Sequence, residues 1–438
     1  MPLFAGAAVA DITPTRSSFL YGYPRVPRMS TGVHDALLAS ALYLENDGQA
    51  CLFIANDILW INKASTANVR RQIAQATGLA AERISISCSH THSGPITFDT
   101  VVAEADAVVP KVDPEYVRHW ESRMVEAGIA AWRARRPATL GHGVAEATGI
   151  GTNRHDPKGP SDLSVPVLFA REAASGKPIA VMIVCTMHPT VLHEDSTLIS
   201  GDFPADARAY LQQHVVGADC PVVYHIGAAG DQSPRHVTKG NTFAESKRLG
   251  EILGSAVAKA IDTATLIDQP KINVKQAMLD LPVRQFPPLD EALQEQKAAT
   301  QRFQLLRDGH APRTETRTAE CDMFGADETV VLARAASDGR MKDIVATMLP
   351  AEIWVLAVGP LRFVCWPGEV FVSFALRVRK EFPHAAIITL ANGELQAYLV
   401  TQQAVDQGWY EAGNAIFQSP QGPEMFVDAT LKLLREMK

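Results

Sequence analysis

The segment SCSHTHSGP, Ser87 to Pro95, sets His90 and His92 at i and i+2 directly after a run of strand-forming residues. Imidazoles at that spacing on extended chain point to one side. Zinc takes such neutral nitrogen donors at about 2.0–2.1 Å, and ligands fixed at a strand end lose little side-chain entropy in reaching it. A bare His-x-His is only a moderate signal, because most histidine pairs lie in cores or on surfaces. Two further strand-to-loop junctions strengthen it. AVMIVCT, from Ala180, runs into MHPTVL and places His188. PVVYHIG, from Pro221, runs into GAAGDQSPR, where the small residues from Gly227 to Gly230 allow close backbone approach and present Asp231 and Ser233. Ligands of open α/β sheets gather where strand ends feed loops, so the three junctions predict one cleft.

The positioning elements are legible as apolar runs bounded by loops. CLFIAND from Cys51, ISISCS from Ile84, the two strands above, and AIITLAN from Ala386 read as strands covered on both faces. Helices are predicted over Lys63 to Thr77, Pro114 to Ala134, Pro204 to Val215, Ala244 to Ala264 and Gly368 to Lys380, with Asp202 and Pro204 as a start signal. EIWVLAVGPLRFVCWPGE, Glu352 to Glu369, predicts a hairpin turning at Gly359 and Pro360, followed by a helix after Trp366. Residues 285 to 348 break the pattern, with an amphipathic helix near Leu289 to Leu306 and then the polar HAPRTETRTAECD, which reads as a solvated excursion. The fold class is therefore α/β, with mixed β-sheets and covering helices.

Composition narrows the partners. At 438 residues, 47% hydrophobic and 20% charged, the chain has material for one large core or two fused layers. A formal net charge of −7 argues against a phosphate-binding surface, so no nucleic-acid partner is expected. The six cysteines, Cys51, Cys88, Cys185, Cys220, Cys321 and Cys365, are scattered without paired spacing and read as buried thiols of a reducing compartment. MPLFAGAAVADITP lacks the basic start of a signal peptide, and no run of about 20 apolar residues is present. The expectation is a cytoplasmic protein without a transmembrane segment; homo-oligomerisation stays open.

SHTHSGP, MHPTVL, GAAGDQSP, WPGE and a later pair of tyrosines, together with ADITP and TGVHDALLASAL near the start, resemble in order the motifs of neutral ceramidases. The resemblance runs from Ala10 to roughly Phe417. It implies a single catalytic domain over residues 1–438; the break in pattern at 285–348 reads as an insertion, a lid or subunit contact if not a solvated excursion, and the C-terminal β-sandwich domain usual in that family is not expected. It also implies one zinc ion per chain, bound by His90, His188, Glu369 of WPGE and Tyr398 of ELQAYLVT. His92, Arg154 of GTNRH and Tyr410 of QGWYEAG resemble the substrate-facing histidine, arginine and tyrosine, and Ser233 resembles the catalytic serine. The implied activity is cleavage of an N-acyl amide by metal-activated water, with the substrate a small-molecule or lipid-like amide.

Read without the resemblance, each residue keeps a plainer role. Glu369 fits a helix first-turn acid, Tyr398 and Tyr410 fit packing, Ser233 fits a cap before Pro234, and Arg154 fits an ion pair. Two other functions stay open on the sequence: a metal-independent serine esterase or amidase, although GDQSP is not the G-x-S-x-G elbow, and a non-catalytic metal- or ligand-binding protein. His193, His225 and His236 read as supporting histidines, and Cys88, Cys185 and Cys365 as inert thiols.

Overall fold

The computed structural model describes residues 3–268, 270–396 and 398–437. Among them a nine-stranded sheet runs in the order Val222–Ile226, Pro178–Cys185, Ser164–Glu172, Arg136–Glu146, Phe4–Asp11, Leu38–Asn46, Gln49–Asn56, Ile84–Cys88, with Thr265–Ile267 also paired to Arg136–Glu146. A four-stranded sheet, Ile272–Leu279, Ala351–Val358, Leu361–Cys365 and Ala385–Ile388, lies against it. Both sheets mix parallel and antiparallel pairs.

The period-2 alternation of each strand shows how the sheets stack. In Gln49–Asn56, Leu52 and Ile54 pack under helices Lys63–Thr77 and Pro114–Arg133, while Cys51 and Phe53 face the second sheet. In Ala351–Val358, Trp354 and Leu356 face the first sheet, and Ile353 and Val355 face helices Val372–Glu381 and Gln421–Arg435. The order is helices, large sheet, small sheet, helices. The four layers bury both faces of strands such as Pro178–Cys185, Val222–Ile226 and Ala351–Val358, which is why these read as continuous apolar runs.

Local signals set the helix limits. Asn62 caps Lys63–Thr77 by accepting from Ser65 N at 2.7 Å, and Gly78 ends it at φ 77°. Asp113 caps Pro114–Arg133. The predicted helix reaching Val215 stops at Leu211 and continues as a π-helical turn, Gln212–Val216. The helix expected from Gly368 starts only at Val372, because Gly368 takes φ 81° and Glu369–Val370 pairs in parallel with Tyr398–Leu399.

Residues 285 to 348 are helical throughout most of their length: the helix expected near Leu289 to Leu306 is present and buries only Ala292, and the polar stretch after it is also helical. They build two long helices, Leu289–Asp308 and Arg313–Ser337, and a short one, Met341–Ala346. Ala319, Met323, Ala326, Val330, Leu332 and Ala333 are buried. The Arg313–Ser337 helix contacts its partner helix, the core and a cleft at once, so no single apolar stripe marks it. No helix among the described residues is long and apolar enough to cross a membrane.

Candidate functional site

The edge strands of the large sheet come together, with the Ser87 Oγ to His225 Nδ1 hydrogen bond, 2.7 Å, joining one edge to the other. That closure gathers the loops after Ile84–Cys88, Pro178–Cys185 and Val222–Ile226. His90 follows the first strand with its amide bonded to Ile58 O at 3.0 Å and its backbone at φ 69°. A non-glycine residue in this region costs about 1–3 kcal/mol and persists only where its surroundings impose it.

Three imidazoles then converge. His90 Nδ1 lies 3.1 Å from Leu59 O, His188 Nδ1 2.6 Å from Ala229 O, and His92 Nδ1 2.9 Å from Gly22 O. A carbonyl oxygen only accepts, so each ring carries a proton on Nδ1, and its neutral form turns a lone pair inward at Nε2. His90 Nε2 is 3.1 Å from His188 Nε2 and 3.4 Å from His92 Nε2. Glu369 Oε2 stands 3.3 Å from His90 Nε2 and 3.2 Å from His188 Nε2. With Nδ1 protonated on both rings that oxygen receives no hydrogen bond, and among the described residues it is an orphaned buried atom.

Desolvation pushes the His188 imidazole down to about 4 and holds His92 well below its ordinary value, the neighbouring histidines adding to the effect on both. Neutral nitrogen donors around one carboxylate, with no donor among them, form a ligand set for a divalent cation. The donor chemistry and the orphaned oxygen both fit zinc.

The two-residue parallel ladder opposite Glu369 puts Tyr398 directly beside it. Arg154 places its guanidinium carbon 5.1 Å from the ring centroids of both Tyr398 and Tyr410. It is fixed from behind by Glu411, which is 0% exposed, accepts from Arg154 Nε at 2.8 Å and His155 Nε2 at 2.7 Å, and forms an ion pair with Arg154. The His155 ring stacks on Trp409 at 3.7 Å. Desolvation raises both tyrosine phenols, the Glu369 charge adding to the effect at Tyr398, so both hydroxyls keep their protons at neutral pH.

Gln232–Ser233 pairs with Thr152–Asn153, which brings Ser233 and Arg154 to the same cleft. Ser233 Oγ accepts from Arg235 N at 3.2 Å as a cap; among the described residues no imidazole or carboxylate lies within hydrogen-bond distance of it. His90, His92, Arg154, His188, Ser233, Glu369, Tyr398 and Tyr410 all line one cavity of 990 Å³, roofed in part by Cys321, Phe324, Asp327 and Glu328 of the Arg313–Ser337 helix. His193 and His236 line it as well, whereas His225 sits between the sheets. Cys88, Cys185 and Cys365 are buried, and burial pushes the Cys185 and Cys365 thiols up to about 12.

Sequence reasoning set His92 apart from the metal donors, whereas His90, His92 and His188 offer nitrogens within 4.8 Å of one another. It missed Glu411 and Gly22. Gly22, at φ 126°, approaches so closely that a Cβ there would lie 2.5 Å from His92 Nδ1. The signal for Gly22 was only a glycine between two tyrosines, and Glu411 had none.

The fold has solved counterparts. No family model matches the chain. Neutral ceramidase from Pseudomonas aeruginosa superposes with a TM-score of 0.75 at 18% identity, covering 100% of this chain and 75% of that one. A ceramidase complexed with C2 gives 0.76 at 18% identity and 76% of its chain. In sequence, neutral ceramidases A and B of Dictyostelium discoideum are each 23% identical, over 266 and 263 residues, or 55% and 54% of this chain. Those matches span 37% and 36% of the two relatives' own length. The chain carries a neutral ceramidase-like α/β domain.

Proposed function

We propose that the chain is a zinc-dependent hydrolase of N-acyl amides. The observation that carries this reading is the inward convergence of the His90 and His188 Nε2 lone pairs on the orphaned Glu369 oxygen. These three residues would hold the ion, with Tyr398 as a fourth, weaker ligand beside Glu369. A zinc ion there supplies a Lewis acid that polarises the amide carbonyl and acidifies water.

The chain's own residues do the rest. His92, neutral and anchored through Nδ1 to Gly22 O, takes a proton from the attacking water at Nε2 and returns it to the amide nitrogen as the C–N bond breaks. The products are a carboxylic acid and a free amine. Arg154 and the protonated Tyr410 hydroxyl aim donors at the oxygen on which charge develops, and a preorganised donor of this kind contributes about 3–4 kcal/mol. With no imidazole or carboxylate within hydrogen-bond distance of it among the described residues, Ser233 orients substrate or water in this reading, which favours metal-activated water over a serine nucleophile.

The helices of residues 285 to 348 act as an insertion that covers the cleft of a single domain. The six unpaired cysteines support a reducing, cytoplasmic setting.

Treatment with a strong chelator is expected to abolish hydrolysis of an N-acyl amide panel, and stoichiometric zinc to restore it; full activity after verified metal removal would exclude the reading. Gly22→Ala is expected to displace the His92 ring and lower kcat/KM by roughly 10–100-fold while zinc content stays near that of the wild type, as anticipated for loss of a supporting contact. Metal analysis beside steady-state kinetics checks both halves of that expectation.

A further inference from the structure

The cleft is chemically two-sided. Tyr21, Leu59, Trp60, Val102 and Phe324 form an apolar part, with the Trp60 ring centroid 6.2 Å from that of His90 and Tyr21 edge-on to Trp60 at 5.6 Å. The loop that follows Ser233 supplies the other part through Arg235 and Lys239.

The pairing of charges in the cavity is uneven. Arg25 is matched by Asp327, Arg154 by Glu411, Arg307 by Asp308 and Arg317 by Glu320. Among the acids, Glu194 is held by His193, and Asp106 accepts from Arg25 N. Arg235 and Lys239 alone among the lining arginines and lysines have no carboxylate within ion-pair distance among the described residues. Glu245, beside this loop, accepts from Lys239 N and is paired with Arg248 at 2.5 Å. Arg235 Nη1 reaches Arg154 O at 3.3 Å, which ties this guanidinium to the wall of the catalytic centre, and Lys239 lines the same cavity.

We propose that Arg235 and Lys239 bind an anionic group on the amine half of the substrate, so that the preferred substrates are N-acyl amino acids and not neutral amides. The acyl chain lies along Trp60 and Phe324, and the carboxylate of the amine half meets the two cations. This rests on the amide-hydrolase reading above and specifies its substrate class. An unmatched guanidinium with a lysine at a cleft wall is suited to carboxylate recognition, because charge-assisted hydrogen bonds are about twice as strong as neutral ones.

The test compares N-dodecanoylglycine with N-dodecanoylethanolamine, which share the acyl chain and differ in charge. The zinc-loaded wild type is expected to favour the glycine conjugate in kcat/KM by a factor on the order of 10 to 100. In the R235Q/K239Q double variant that ratio should fall toward one. Because the ratio is taken within one preparation, partial misfolding of the variant does not affect it. A wild-type ratio near one, or a preference that survives the double substitution, overturns the inference while leaving amide hydrolysis standing. If neither compound is cleaved the proposed function fails, and calorimetric binding of the same two compounds still decides the charge preference: equal affinities, or a preference unchanged in R235Q/K239Q, would overturn it.

Discussion

Glu369→Gln lowers kcat/KM for amide hydrolysis by a factor on the order of 1,000 or more, the scale seen when a group essential to the transition state is removed. The substitution keeps shape and volume but replaces an anionic oxygen by a neutral amide. In the protein without metal, the wild-type carboxylate faces the Nε2 lone pairs of His90 and His188 at 3.3 and 3.2 Å. A glutamine amide would donate to one of those lone pairs. Metal-free E369Q protein should therefore melt no lower than metal-free wild type, because the residue is selected for function against local stability. A thermal melt beside the kinetics separates this from a structural role, under which activity and stability would fall together.

The second large effect lies behind the site. Glu411→Ala strips the partner from Arg154, 7% exposed, and from His155 at once. Breaking a buried ion pair from one side costs about 3–5 kcal/mol, because the remaining charge is left desolvated. Arg154 would also lose its placement between the Tyr398 and Tyr410 rings, so kcat should fall along with the apparent melting temperature. Glu411→Gln keeps acceptor geometry and should cost less on both counts. Burial alone would raise the Glu411 carboxyl, but Arg154 and His155 outweigh it and depress the folded value below 4.5. The stability contributed by the ionised form is thus fully present above pH 4.5 and is lost as pH falls through the depressed value. Melts of wild type and E411A across that range should converge toward the acid end.

How much of this was legible in the sequence follows from which interactions are local. Gln49–Asn56 and Pro178–Cys185 announced themselves because both their faces are buried, and His90 and His188 because they stand just beyond such strands. Glu369 was different. Locally it fits a first-turn acid, and it came forward only through the family resemblance; its orientation comes from pairing with Tyr398–Leu399, a long-range contact with no local pattern. Glu411 meets Arg154 across 257 positions, and Gly22 meets His92 across 70, so neither contact leaves a periodic trace. The Arg313–Ser337 helix was misread because its polar residues face a cleft and a partner helix where solvent was assumed.

The metal centre carries the account, and metal analysis of the purified protein tests it most directly. Mass-spectrometric metal analysis of the native chain and of His90→Ala, both verified as folded, should give one zinc per wild-type chain and close to none in the variant. A folded wild type that holds no divalent metal after purification in zinc-supplemented buffer, and that still cleaves N-acyl amides, would contradict it.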